Sequence, residues 1–129
     1  MSRNESFGVG MGNIRTTTLV DQEGSPKLLQ MSKHDEAGNK LAYLEYEHDP
    51  EVDNNYITWM HSTHPGQGHM TELVHNLYRQ HPKHSVNWGS VIHPGAAKLF
   101  NKFYKLHPNR TDGEINIDED YSKAMAEEN

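Results

Sequence analysis

Apolar residues alternate along the first half of the chain and recur at helical spacing along the second. "IRTTTLVD", from residue 14, is β-branched and predicts a first strand. "GSP" at 24–26 predicts a turn. Leu28–Asp35 and Lys40–His48 then read as a hairpin around "EAGN". In its second strand Leu41, Tyr43 and the stem of Glu45 alternate with Ala42, Leu44 and Tyr46, so both faces are partly apolar. A polar connection, "DPEVDNN", leads to "YITWMHS", a strongly β-type strand. The period changes after Pro65, where Met70, Leu73, Val74, Leu77 and Tyr78 fall at i, i+3, i+4, i+7 and i+8. That stripe predicts a helix of about three turns, ended by Pro82. "SVNWGSVI" is another strand. "HPGAAKLFNKFYKLH" is a second helix with Pro94 in its first turn and a stripe of Ala96, Leu99, Phe100, Phe103 and Tyr104. Trp59 and Trp88 read as sheet packing, and Tyr46, Tyr56 and Tyr78 as the edge of the core.

Strand, hairpin, strand, helix, strand, helix is therefore the predicted order. A helix between two strands is a crossover, which makes "YITWM" and "VNWGSVI" parallel, while the tightly linked earlier strands are antiparallel. The expectation is an α/β (α+β) fold: a mixed, mostly antiparallel sheet with a central parallel strand pair and helices packed on it. A single domain over 13–111 would lie between a flexible arm at 1–12 and an acidic tail at 112–129, the tail opening with a short strand.

At 129 residues the chain is one domain's length, and with 33% hydrophobic residues its core is modest. The absence of cysteine excludes disulfides and thiolate chemistry. No apolar h-region opens the sequence, and no window approaches the roughly 18 apolar residues of a membrane helix. A cytoplasmic protein without membrane contact is expected. The net charge of -6 is uneven: from His61 to Arg110 six Lys and Arg face Glu72 alone. A basic middle in an acidic chain points to a local anion site, and the overall acidity argues against nucleic acid as a partner.

The basic middle contains "HPGQG" between a strand and a helix. Glycines there allow positive φ and close approach, and a helix start offers unpaired N–H groups, so the segment can cradle a phosphate. No Lys-Ser/Thr follows as in a Walker loop, and no Gly-x-Gly-x-x-Gly fingerprint is present. The chain from Tyr56 to Tyr104 instead resembles the GNAT acetyltransferase superfamily. "PGQGHMTELV" lines up with that family's acetyl-CoA loop and helix start: Gly66 and Gly68 match its first two glycines, Thr71 the following small polar residue, and Leu73 and Val74 the apolar pair. "AAKLFNKF" at 96–103 is similar to its later helix. The sequence departs from the family at Pro65 in place of Arg or Gln, at Met70 in place of a small residue, and at Phe100 in place of a frequent Tyr. It also lacks the two helices that usually follow the first strand.

The resemblance implies a GNAT-like fold and transfer of an acetyl group from acetyl-CoA to an amine on a small molecule, a peptide or a protein. It implies that backbone amides of Gly66, Gln67, Gly68, His69 and Met70, with Thr71, hold the pyrophosphate. The main chain of Trp59, Met60 and His61 would hold the pantetheine arm. Glu45, Glu47 and His61 are the candidate bases and Tyr104 the candidate acid. A second reading is a catalytically degenerate GNAT-like module that binds a protein partner, and a homodimer completing the pocket is a further expectation. His61, His64, His69 and His75 could suggest zinc, but no His-Glu-x-x-His is present and no cysteine can complete a site, so no metal is expected.

Overall fold

A computed structural model describes residues 13–49 and 51–117; the arm at 1–12 and the tail from 118 onward lie outside the described residues. The elements are β1 (Ile14–Val20), β2 (Lys27–His34), β3 (Lys40–Asp49), β4 (Asn54–Ser62), α1 (His69–Gln80), β5 (Ser85–Val91), α2 (Pro94–Leu106) and β6 (Thr111–Ile115). The six strands form one sheet in sequence order. β1 to β4 make an antiparallel meander. β4 and β5 are parallel, and so are β5 and β6. The fold is thus α+β on a mixed sheet with two helices among the described residues. It has two parallel pairs rather than the single expected one. The second arises because α2 makes another crossover, which brings the opening of the expected tail into the sheet as β6.

Two successive crossovers in one direction place both helices on the same face. The Tyr78 ring of α1 accordingly stacks on Phe103 of α2, centroids 5.2 Å apart. Beneath them Met31, Ala42, Leu44, Tyr46, Ile57, Val86 and Trp88 are buried from the sheet, with Leu73, Val74, Leu77, Tyr78, Phe100 and Phe103 from the helices. The alternation in β3 resolves with Ala42, Leu44 and Tyr46 inward. A hydrogen-bonded chain crosses this core. Trp88 Nε1–H donates to Tyr78 Oη (3.2 Å), Tyr78 O–H meets Thr111 Oγ1 (2.7 Å), and Thr111 Oγ1 reaches the Phe103 carbonyl (3.3 Å). Buried polar groups tie β5, α1, β6 and α2 together at little desolvation cost because each is partnered.

The opposite face of the sheet carries no helix among the described residues. Register places Tyr43 beside His61, Glu45 beside Trp59, and Glu47 beside Tyr56 on this open side. Trp59 is 56% exposed on this open face, whereas Trp88, at 6%, lies in the core.

Candidate functional site

β4 and β5 pair only at Asn54–Ser85, Asn55–Val86 and Tyr56–Asn87, and then part. Both strands are irregular just beyond that point. In β4 the register to β3 jumps from Glu45–Trp59 to Tyr46–Ile57, leaving Thr58 as a bulge. Its hydroxyl donates to the Glu45 carbonyl at 3.2 Å. In β5 the register to β6 shifts between Asn87 and Ser90. Gly89 there has φ 63°, and its N–H donates to Asn87 Oδ1 at 2.8 Å. Two bulges at one level bend the strands apart. The main-chain groups of β4 beyond Tyr56 are left facing a cleft instead of a strand.

The glycine loop lies at the wide end of this cleft, since β4 leads into it. Gly66 and Gly68 take φ 88° and 82°, and Cβ atoms on either would meet open space. The positive φ, not crowding, is what calls for glycine here. Gly68 caps α1 without a side chain to receive the first amides, and the first helical bond runs from Glu72 N–H to the Gly68 carbonyl. The amides of His69 to Thr71 therefore point outward along the helix axis, where an anion is favoured. Met70, the bulky departure in the loop motif, is partly buried and packs against the core. Lys33 of β2 fixes the first turn from below. Its amine is 2.7 Å from Glu72 Oε2 and donates to His69 Nδ1 at 3.0 Å, so the one acid of the basic middle is neutralised at the helix start.

Of the residues singled out from sequence, Glu45, Glu47, Trp59 and His61 share the open face, with the rings of Tyr43 and His61 5.5 Å apart. Gln30 Nε2–H donates to Glu45 Oε2 at 2.9 Å and fixes that carboxylate. Met60 turns inward against the core, so it can offer only its main chain. Tyr104 does not join them. It lies on α2, on the helix-covered side of the sheet, 49% exposed with its ring 5.9 Å from Phe100. The phenol at the cleft is Tyr56, whose ring leans across the seam: a Cβ at Gly89 would stand 2.6 Å from Tyr56 Oη. Sequence reading placed Tyr56 at the core edge, and the clue to its position, glycine facing tyrosine across a parallel pair, needs the register to be seen.

The histidines that gather are also not those of the loop. His48 of β3, His81 at the end of α1 and His84 before β5 form one cluster, with centroids 4.5 Å (His48–His81), 5.1 Å (His48–His84) and 5.4 Å (His81–His84) apart. Among the described residues no three histidine or acidic side chains are disposed to hold a metal. A shallow recess of about 430 Å³ lies away from the cleft, between the C-terminal ends of the two helices, floored by Tyr78, Leu106 and His107. Among the described residues no helix is long and apolar enough to cross a membrane. No family model, curated protein or solved structure matches the chain.

Proposed function

We propose that the chain is a GNAT-type acyltransferase, moving an acetyl group from acetyl-CoA to an amine. The observation that carries this reading is a cleft between two parallel strands that opens directly onto an uncapped, glycine-ended helix start. In this reading the amides of Gly66 to Met70, with Thr71, hold the pyrophosphate, and the free edge of β4 from Trp59 to His61 holds the pantetheine arm. Acetyl-CoA supplies the activated acyl group. Glu45 or Glu47 takes the proton of the acceptor ammonium, so that the free amine can attack the thioester carbonyl. In this reading Tyr56, rather than Tyr104, is the acid that returns a proton to the departing sulfur. The acceptor would approach from the open face, where aromatic rings and carboxylates favour a cationic amine.

The test is thermal unfolding with and without acetyl-CoA at millimolar concentration. Binding at a hundred times Kd adds about 2.7 kcal/mol of stability. A rise in midpoint that Gly68→Trp abolishes supports the reading, and no rise removes both the cofactor and the reaction. A rise without turnover on a panel of amines selects the second reading, a GNAT-like module that binds a protein partner. That reading is favoured by the exposed Trp59 and the half-exposed Tyr56 on a sheet face without helices.

A further inference from the structure

The three-histidine cluster sits at the narrow end of the cleft, opposite the glycine loop. His48 Nδ1–H donates to Asn55 Oδ1 at 2.7 Å, and Asn55 is fully buried within the short run where β4 meets β5. His84 N–H donates to the His81 carbonyl at 3.0 Å, and the next amide, Ser85, donates to the Asp53 carbonyl at 2.9 Å. Ser85 and Val86 are the first β5 residues to pair with β4. The loop bearing His81 and His84 is thus continuous with the only hydrogen-bonded contact between the two strands. His81 Nε2 and both ring nitrogens of His84 are buried without hydrogen-bond partners.

We propose that His48, His81 and His84 form a pH-sensitive latch at the root of the β4–β5 cleft: they hold the seam closed while neutral and release it when they take up protons.

The charges around the cluster favour release. Arg110, ahead of β6, donates from Nε to the His84 carbonyl (3.0 Å) and from Nη2 to the Tyr78 and His81 carbonyls (3.0 and 2.7 Å), holding a permanent cation beside the rings. Lys27 of β2 lies across the register from His48, with Asp21 3.8 Å from its amine. Tyr46 of β3 presents its ring to His81 at 6.2 Å and carries no charge near neutrality. Lys83 stands between the two loop histidines in sequence. The carboxylate that faces the rings is Asp53, 3.7 Å from His84 Nε2 and largely in solvent, while Asp49 closes β3 next to His48. With its facing carboxylate largely in solvent, charge on this cluster would be poorly compensated beside the Arg110 guanidinium. Burial, followed by His48, His84 and Arg110, accordingly holds His81 down to about 4. Charged rings cannot stay stacked at these separations without solvent, so the loop moves outward and takes Ser85 with it. The latch stands apart from the acyl-transfer reading, because it needs only the seam and its readout uses no ligand.

The test is amide hydrogen exchange on the full chain at about pH 7.5 and about pH 5, corrected for the intrinsic rate change. Amides of residues 54–56 and 85–87 that point across the seam, Ser85 first among them, are compared with those of Met31 and Leu44 in the β2–β3 hairpin; Val86, whose N–H donates to the Arg110 carbonyl, is left out. On acidification the seam amides should lose protection by on the order of tenfold more than the hairpin amides. His81→Gln, or His84→Gln should the first variant not fold, should keep the seam protected at the lower pH. If seam and hairpin open in equal measure in the unaltered protein, the latch does not exist. A folded variant that retains the whole pH response overturns it equally.

Discussion

A Cβ placed on Gly89 would stand 2.6 Å from Tyr56 Oη, and φ at that residue is 63°. Gly89→Ala therefore carries two costs of different origin. The left-handed backbone costs about 1–2 kcal/mol whatever surrounds it. The contact adds to this, but modestly, because the far end of a half-exposed tyrosine can swing aside. In urea, Gly89→Ala should destabilise by about 2 kcal/mol in the native background and by less when Tyr56 is also alanine, giving a favourable coupling in a double-mutant cycle. Equal costs in both backgrounds would mean that the Tyr56 ring does not lie over Gly89. The same variant should displace Tyr56 from the cleft, so in the acyl-transfer reading turnover falls more than acetyl-CoA binding does. Individual residues were only partly legible in the sequence for a related reason. Pattern reasoning sees a side chain's face, not its neighbour on another strand. Glu45, Glu47 and His61 could be proposed because the family resemblance pointed to them, whereas Tyr56 over Gly89 joins residues 33 apart that no motif links.

At the scale of elements the helix stripes carried most of the information, since a face of Leu73, Val74 and Leu77 must be buried wherever the helix lies. Pro94 likewise announces the start of α2, and the structure adds a cap there: the His93 ring accepts the Gly95 N–H at 3.0 Å. The parallel seam followed from one crossover, whereas the bulges at Thr58 and Gly89 arise from register and are not visible in either strand alone. What anchors α1 was also hidden. Lys33, on β2, meets Glu72 and His69 across 36 to 39 residues of chain, and its side chain is only 13% exposed. Glu72 is 45% exposed, so solvent weakens the pair. A Lys33→Ala and Glu72→Ala cycle should give a coupling of about 0.5–1 kcal/mol that shrinks in molar salt. In hydrogen exchange, Lys33→Ala should loosen the first turn of α1 and leave its C-terminal half, held by Leu77 and Tyr78, unchanged. Loss of protection along the whole helix would instead assign Lys33 to the core of the fold.

For the molecule as a whole, the histidines set how stability answers to acid. His34, His75, His81 and His107 are each held below the ordinary imidazole value, and in each the first cause is burial. Neighbouring cations add to it: Arg15 and Lys40 at His34, Lys102 and Arg79 at His75, Arg110 at His107. Such a group binds a proton more readily once the chain unfolds. Its contribution is therefore complete above the unfolded value of about 6.5 and is lost as the pH falls toward the folded value, which for His81 is about 4. Each group limits the slope to about 1.4 kcal/mol per pH unit, and His81, held down to about 4, carries the decline furthest below neutrality. The urea midpoint should thus fall steadily from about pH 7 to about pH 4.5, with net proton uptake on unfolding. A flat profile over that window would show these imidazoles to be solvated. Two of the four, His75 and His107, flank Phe103 between the helices, away from the β4–β5 seam. His75→Gln should therefore flatten the global profile while the seam amides still open on acidification, and His84→Gln should do the reverse. That separation distinguishes a protein that merely becomes less stable in acid from one whose cleft opens first.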